Sequence, residues 1–214
     1  MSFDEYLLIW SKLHGDAVPS KVVRGWLWIG FQLSSPLIRL SANTITVFGA
    51  LLSVLLVGHF YGNRAEYLLT AVGVLILGMV DSLDGIVAVR KSKTSSWGAF
   101  LDSVVDRLVD VSFGILFFLC GAPFLLCVFV VCLTLIHEYM RARASGLGMA
   151  DVGVISVGEK PTRVAIVIMF FLSCAMFSDH AKLISTFGAV IWLFTSAVGL
   201  GQLYKAIKNT LKQN

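Results

Sequence analysis

Residues 81–106 read DSLDGIVAVRKSKTSSWGAFLDSVVD, and this stretch decides how the rest of the chain must be arranged. Asp81 and Asp84 close one strongly apolar segment; Asp102 and Asp106 open the next, and a short basic turn lies between them. The 214-residue chain is 57% hydrophobic and 14% charged, against about 25% charged in a soluble domain. That composition predicts an all-α polytopic membrane protein. It also makes the four carboxylates expensive, because an ionisable residue inside hydrocarbon is a functional candidate by default.

Working outward, the apolar runs predict six transmembrane helices, at about 43–61, 67–89, 97–120, 124–140, 164–177 and 183–203. The fifth is short unless it begins inside the connection before it. Residues 1–42 read as a juxtamembrane, interfacial segment and 43–214 as one six-helix domain. Two pieces of the segment, Phe3 to Leu13 and Ser20 to Leu40, mix Trp10, Trp26, Trp28 and Phe31 with Lys12, Lys21, Arg24 and Arg39. That mixture suits an amphipathic helix lying in the interface, an anchor without chemistry. Pro19 can start the second piece, and Pro36 should kink or break it. Acids stand where a signal peptide needs its positive region, so none is expected. The four cysteines lie in apolar runs without CxxC spacing and read as small hydrophobes.

Basic residues orient the helices. Fourteen of the 17 Lys and Arg fall in the N-terminal segment, the 90–96 loop, the 141–163 connection and the C-terminal tail. The opposite side has Arg64 and Lys182, and Arg107 lies within a span. Both termini, both basic connections and the acidic site are therefore expected in the cytoplasm, the lipid bilayer being a plasma membrane of bacterial type. No nucleic-acid partner is expected.

Helix rise places Asp84 and Asp81 about 8 and 12 Å above the cytoplasmic edge, and Asp102 and Asp106 about 8 and 14 Å above it. The i,i+3 and i,i+4 spacings put each pair on one helix face. If the faces meet, four carboxylates converge, and like charges that close need cations. Arg107 is adjacent to Asp106, but i,i+1 residues point apart. All-oxygen ligation suits Mg2+ or Mn2+, as two ions in the manner of phosphoryl-transfer sites. Asp110 reads equally as support for this site or as a helix-packing partner. Gly85 and Gly98 flank the acids, either for close helix packing or to admit a flat ligand against the backbone.

The pattern Asp81-x2-Asp84-Gly85-x2-Ala88, nine residues, Gly98-x3-Asp102-x3-Asp106 resembles the signature of the CDP-alcohol phosphotransferase family. Ser41 to Thr46, with Gly49, resembles that family's first-span start. The resemblance implies a phosphatidyltransferase of phospholipid biosynthesis with Asp81, Asp84 and Asp102 on the metals and Asp106 both near enough to ligate and acting as general base. It implies that Gly85, Ala88 and Gly98 border the cytidine of a CDP-linked lipid donor, CDP-diacylglycerol foremost. Asn43 and Thr46 would lie near the nucleotide. A homodimer is implied as well.

One position departs: Val89 stands where the family has an arginine for the nucleotide's phosphates. Arg90 is the candidate to replace it, but only where the helix unwinds; otherwise Lys91 or Lys93 must supply the charge, or the donor is held differently. Arg141, Arg143, Lys160 and Arg163 resemble the basic residues of members that take inositol phosphate, and read as the pocket for a small polar, phosphorylated acceptor, inositol phosphate or glycerol 3-phosphate. Positive-inside anchoring is the plainer account of the same residues. His137 and Glu138 read as packing or support. A divalent-cation transporter and a non-catalytic homologue are the alternatives from other classes.

Overall fold

The computed structural model describes residues 1–13, 18–149 and 156–211. Lys212 of the basic tail and residues 150–155 of the long connection lie outside the described residues. Among those described, the chain is all helical: α1 (Phe3–Leu13), α2 (Lys21–Leu37), α3 (Ala42–Gly58), α4 (Arg64–Arg90), α5 (Ser96–Leu119), α6 (Phe124–Gly146), α7 (Lys160–Met176) and α8 (Ala181–Leu211), with a 3-10 turn at Ser178–His180. The residues cluster into two compact units, Met1–Leu52 with Ile76–Leu108, and Ser53–Leu75 with Val109–Asn214.

A helix covers each of the six expected apolar segments, but length and composition alone qualify fewer of them as spans. Arg64–Arg90, Phe124–Gly146 and Ser178–Leu211 are each long and apolar enough to cross a membrane, and α2 with α3 qualifies as a pair bent by 109°. The shortfall has physical causes. α3 and α7 have 17 residues each, the lower end of what spans hydrocarbon. α5 has 24 residues but carries Asp102, Asp106, Arg107 and Asp110.

Two helices run into the 141–163 connection. α6 continues through Arg141 and Arg143 to Gly146, and Gly148 then adopts φ +89°, a left-handed stop that glycine takes at little cost. α7 starts at Lys160, inside the connection, with Pro161 in its first turn where no N–H is needed. Pro36 does not break α2 internally; the helix passes it and stops one residue later.

In the first unit, α1 and α2 are packed rather than merely attached. Tyr6, Leu27, Phe31 and Ile86 form a buried cluster, joined by Phe3, Leu7, Trp10 and Val89. A second cluster joins Ile45 of α3 to Val80, Leu83 and Val87 of α4. Trp26 Nε1 donates to Ser82 Oγ at 2.8 Å. α2 thus covers one side of the C-terminal end of α4 and leaves another side for the acids.

In the second unit, Phe117 centres an aromatic core, 5.5 Å from Phe171 and 6.1 Å from Trp192 between ring centroids. A Cβ on Gly199 of α8 would sit 2.7 Å from the Gly158 nitrogen, so glycine there permits a backbone-to-backbone approach. Arg64 caps the C-terminus of α7 by donating to the carbonyls of Ala175 and Met176 at 2.9 and 3.2 Å. The cysteines are free; Cys120 and Cys174 bring their sulfurs to 3.7 Å inside the core.

The same unit encloses a charged network. Arg163, 1% exposed, donates from Nε to Asp110 at 3.0 Å and from Nη2 to Asp110 at 3.3 Å, and also reaches Glu138 and the Gly158 carbonyl. Breaking one partner of such a pair leaves an uncompensated buried charge. Arg163→Ala should therefore lower stability by about 3–5 kcal/mol, while Arg143→Ala, at an exposed position, should stay within about 0.5 kcal/mol. Thermal unfolding of the detergent-solubilised variants measures the contrast.

Candidate active site

The site lies in the first unit, where the last turns of α4 run antiparallel to the first turns of α5. Three carboxylates come together: one oxygen each from Asp81, Asp102 and Asp106 lies within 4.8 Å of the others. Opposite oxygens on a Mg2+ ion span about 4.2 Å. The three acids are half-buried and all offer oxygen, so the set fits a hard divalent cation.

Asp84 stands apart from that trio. It is buried, and its Oδ2 accepts a 2.6 Å hydrogen bond from Thr46 Oγ1. The depth pairing of Asp84 with Asp102 is visible differently, in that both line one cavity. Arg107 is a correction to the expectation from spacing. Its Nη2 lies 3.6 Å from Asp106 Oδ2. Adjacent Cβ vectors do diverge, but a long arginine stem bends back along the helix.

The cavity beside the acids measures about 220 Å3 and is walled by Asn43 and Thr46 of α3, Asp84, Gly85 and Ala88 of α4, and Gly98 and Asp102 of α5. Leu13 of α1, Val89 and the turn residues Lys93, Thr94 and Ser95 complete it. The two glycines differ. A Cβ on Gly85 would meet nothing within 4 Å, so the missing side chain opens onto the cavity. A Cβ on Gly98 would lie 3.2 Å from both Asn43 Oδ1 and Ser95 Oγ, so that glycine lets polar groups close in.

Arg90 is placed elsewhere. Its Nη1 donates to the Phe31 carbonyl at 3.1 Å, to Ser34 Oγ at 2.5 Å and to Ser35 Oγ at 3.1 Å, and its guanidinium stacks 4.3 Å from the Phe31 ring centroid. It ties α4 to α2. Lys91 Nζ donates to the Leu40 carbonyl at 3.0 Å.

The four basic residues expected to hold an acceptor belong to the second unit. Arg163 is enclosed by Asp110, Glu138 and the Gly158 carbonyl. Arg141 pairs with Glu159 and lies 3.9 Å from Glu138 Oε2. Arg143 is exposed and Lys160 half-buried. His137 is buried against Ser156 Oγ at 3.0 Å. Asp110, left open between two roles by spacing, is a partner of Arg163.

An acidic oxygen cluster beside a small cavity, at the ends of strongly apolar helices, is an arrangement that can hold a hard divalent cation against a phosphoryl group. The CDP-alcohol phosphatidyltransferase model matches residues 39–199, and the chain belongs to that family. It is thus a transferase of substituted phosphate groups in phospholipid synthesis, with three carboxylates placed where they could hold a divalent cation. Among its relatives, archaetidylinositol phosphate synthase of Pyrococcus horikoshii is 33% identical over 153 residues, covering 68% of this chain and 74% of that one. Phosphatidylinositol phosphate synthase of Mycobacteroides abscessus is 29% identical over 197 residues, 83% of each chain. The Mycobacterium tuberculosis phosphatidylinositol phosphate synthase, solved with CDP-DAG bound, shares the fold at a TM-score of 0.64 and 22% identity, over 82% of this chain and 94% of that one. Its complex with manganese and citrate superposes at 0.63, also at 22% identity, over 80% and 88%.

The open space at Gly85 separates stability from function. Gly85→Ala should leave the melting temperature unchanged or raise it, since alanine in a helix is favoured over glycine by about 1 kcal/mol. Turnover should nevertheless fall several-fold as the methyl group enters the cavity. Parallel thermal-melt and CMP-release assays read the opposite signs; unaltered turnover would mean that substrate does not use this wall.

Proposed function

We propose that this protein moves a phosphatidyl group from CDP-diacylglycerol to a hydroxyl of inositol phosphate, releasing CMP. The observation that carries the reading is the Asp81, Asp102 and Asp106 cluster beside a cavity walled by Asn43, Thr46, Gly85, Ala88 and Gly98. The choice of inositol phosphate over glycerol 3-phosphate rests on relatives named for inositol phosphate products. Arg141, Arg143 and Lys160 are the cations assigned to the acceptor's phosphate, with Arg163 holding Glu138 and the Gly158 backbone in place behind them.

Asp81, Asp84, Asp102 and Asp106 are the residues assigned to two divalent ions, Asp84 being steadied by Thr46. When bound, such ions withdraw charge from phosphoryl oxygens and offset charge on the leaving group. Asp106 accepts the proton of the acceptor hydroxyl. The acceptor oxygen forms a new bond to the phosphorus bearing the lipid, and the bond from that phosphorus to the CMP oxygen breaks. Gly85 and Ala88 give the cytidine a flat wall, and Gly98 brings Asn43 close to it. A cavity of about 220 Å3 is below the size that encloses a drug-sized ligand, so it takes the head of the donor while the acyl chains stay in lipid.

Six spans, with residues 1–42 lying in the interface and 43–214 forming the catalytic domain, complete the reading. The support is a helix over each apolar segment and the 109° bend between α2 and α3, which sets α2 across the direction of α3. Positive-inside asymmetry puts the termini and the site in the cytoplasm of a bacterial plasma membrane. A homodimer is carried from the family alone, and light scattering on the solubilised protein checks it.

Purified protein, Mg2+, CDP-diacylglycerol and a panel of inositol phosphate, glycerol 3-phosphate and free inositol should give a lipid product with inositol phosphate. A product with glycerol 3-phosphate instead would overturn the acceptor assignment. Asp106→Asn should lower kcat by about 10²–10⁴-fold, the range of a general base. Chelation should abolish turnover, and Mg2+ or Mn2+ should restore it.

A further inference from the structure

Val89, where the resemblance leads one to expect an arginine, packs against the Tyr6, Leu27 and Phe31 cluster. The next two cations are committed to α2 and to the turn after it: Arg90 to Phe31, Ser34 and Ser35, and Lys91 to the Leu40 carbonyl. Neither lines the cavity. Lys93 does.

The backbone fixes where Lys93 leaves the helix. Ser92 takes φ +51°, a left-handed conformation uncommon outside glycine. The Ser92 N–H bonds to the Val89 carbonyl and the Lys93 N–H to the Ala88 carbonyl, each at 3.0 Å. The second of these is the six-to-one bond of a Schellman turn, which ends α4 sharply. Lys93 is the first residue past that stop. Among the described residues its ammonium makes no ion pair or hydrogen bond. α5 starts on the same wall, its first turn capped by Ser95 Oγ accepting from the Gly98 N–H at 3.0 Å. A helix N-terminus there favours an anion, and an ammonium with three rotatable donors suits phosphate oxygens.

We propose that Lys93 grips the donor's diphosphate in this chain, reaching it from the turn beyond α4. The proposal rests on the reading of the cavity as a CDP-lipid site. Two readouts test it, both on the full-length protein in detergent with Mg2+. Calorimetry with CDP as the soluble probe should show binding by the wild type and about tenfold weaker binding by Lys93→Met, the scale of a hydrogen bond to a charged group. Lys93→Arg should recover most of the loss, as should Val89→Arg added to Lys93→Met. In steady state, Lys93→Met should raise the KM for CDP-diacylglycerol by more than it lowers kcat and leave the acceptor's KM in place. CDP binding by Lys93→Met at wild-type strength would overturn the proposal and leave the function reading standing. A wild type that binds no CDP would overturn both.

Discussion

The constraint on which this structure depends is the cost of carboxylates among apolar helices. The chain meets it in two ways. Asp110 is neutralised from within, by a guanidinium as buried as itself. Asp81, Asp102 and Asp106 are gathered with Arg107 beside Asp106, and together carry a formal charge of −2 that invites a cation. Like charges gathered this closely stay ionised only beside such a partner. Asp84 is held by a threonine hydroxyl, which orients it without cancelling its charge. Asp110 thus has a buried guanidinium of its own, whereas the three clustered acids have Arg107 beside one of them.

The C-terminal end of α4 serves two neighbours at once. One face, carrying Asp81, Asp84, Gly85 and Ala88, is given to the site. Another, carrying Ser82, Ile86 and Arg90, is given to α2. The N-terminal helices are therefore part of what positions the acids, not only an anchor beside them. Val89 sits at the border of the two faces, touching both the aromatic cluster and the cavity.

The helices and the acid cluster were legible because both rest on local periodicity. Apolar runs separated by turns locate all six segments, and i,i+3 and i,i+4 spacing orients their carboxylates. What stayed hidden depends on long-range pairing. Nothing near Asp110 announces Arg163, 53 residues on, and nothing near Thr46 announces Asp84. The role of Arg90 likewise needed Ser34 and Phe31 in space. α6 runs on to Gly146 and α7 begins at Lys160, because charged residues can leave the apolar run without leaving the helix. Arg107 was misread because spacing describes where a side chain starts, whereas a long one ends elsewhere.

The clamp of Arg90 on α2 bears on how related sequences are compared. Sliding the chain by one place would match Arg90 to the family's arginine, and a scoring scheme would reward the shift. It would also pull Asp81, Asp84, Gly85 and Ala88 out of column. One column is about 100° around a helix, enough to turn a residue from the substrate to the scaffold. Val89 and Arg90, adjacent in the chain, therefore serve different neighbours: Val89 walls the cavity and Arg90 holds α2.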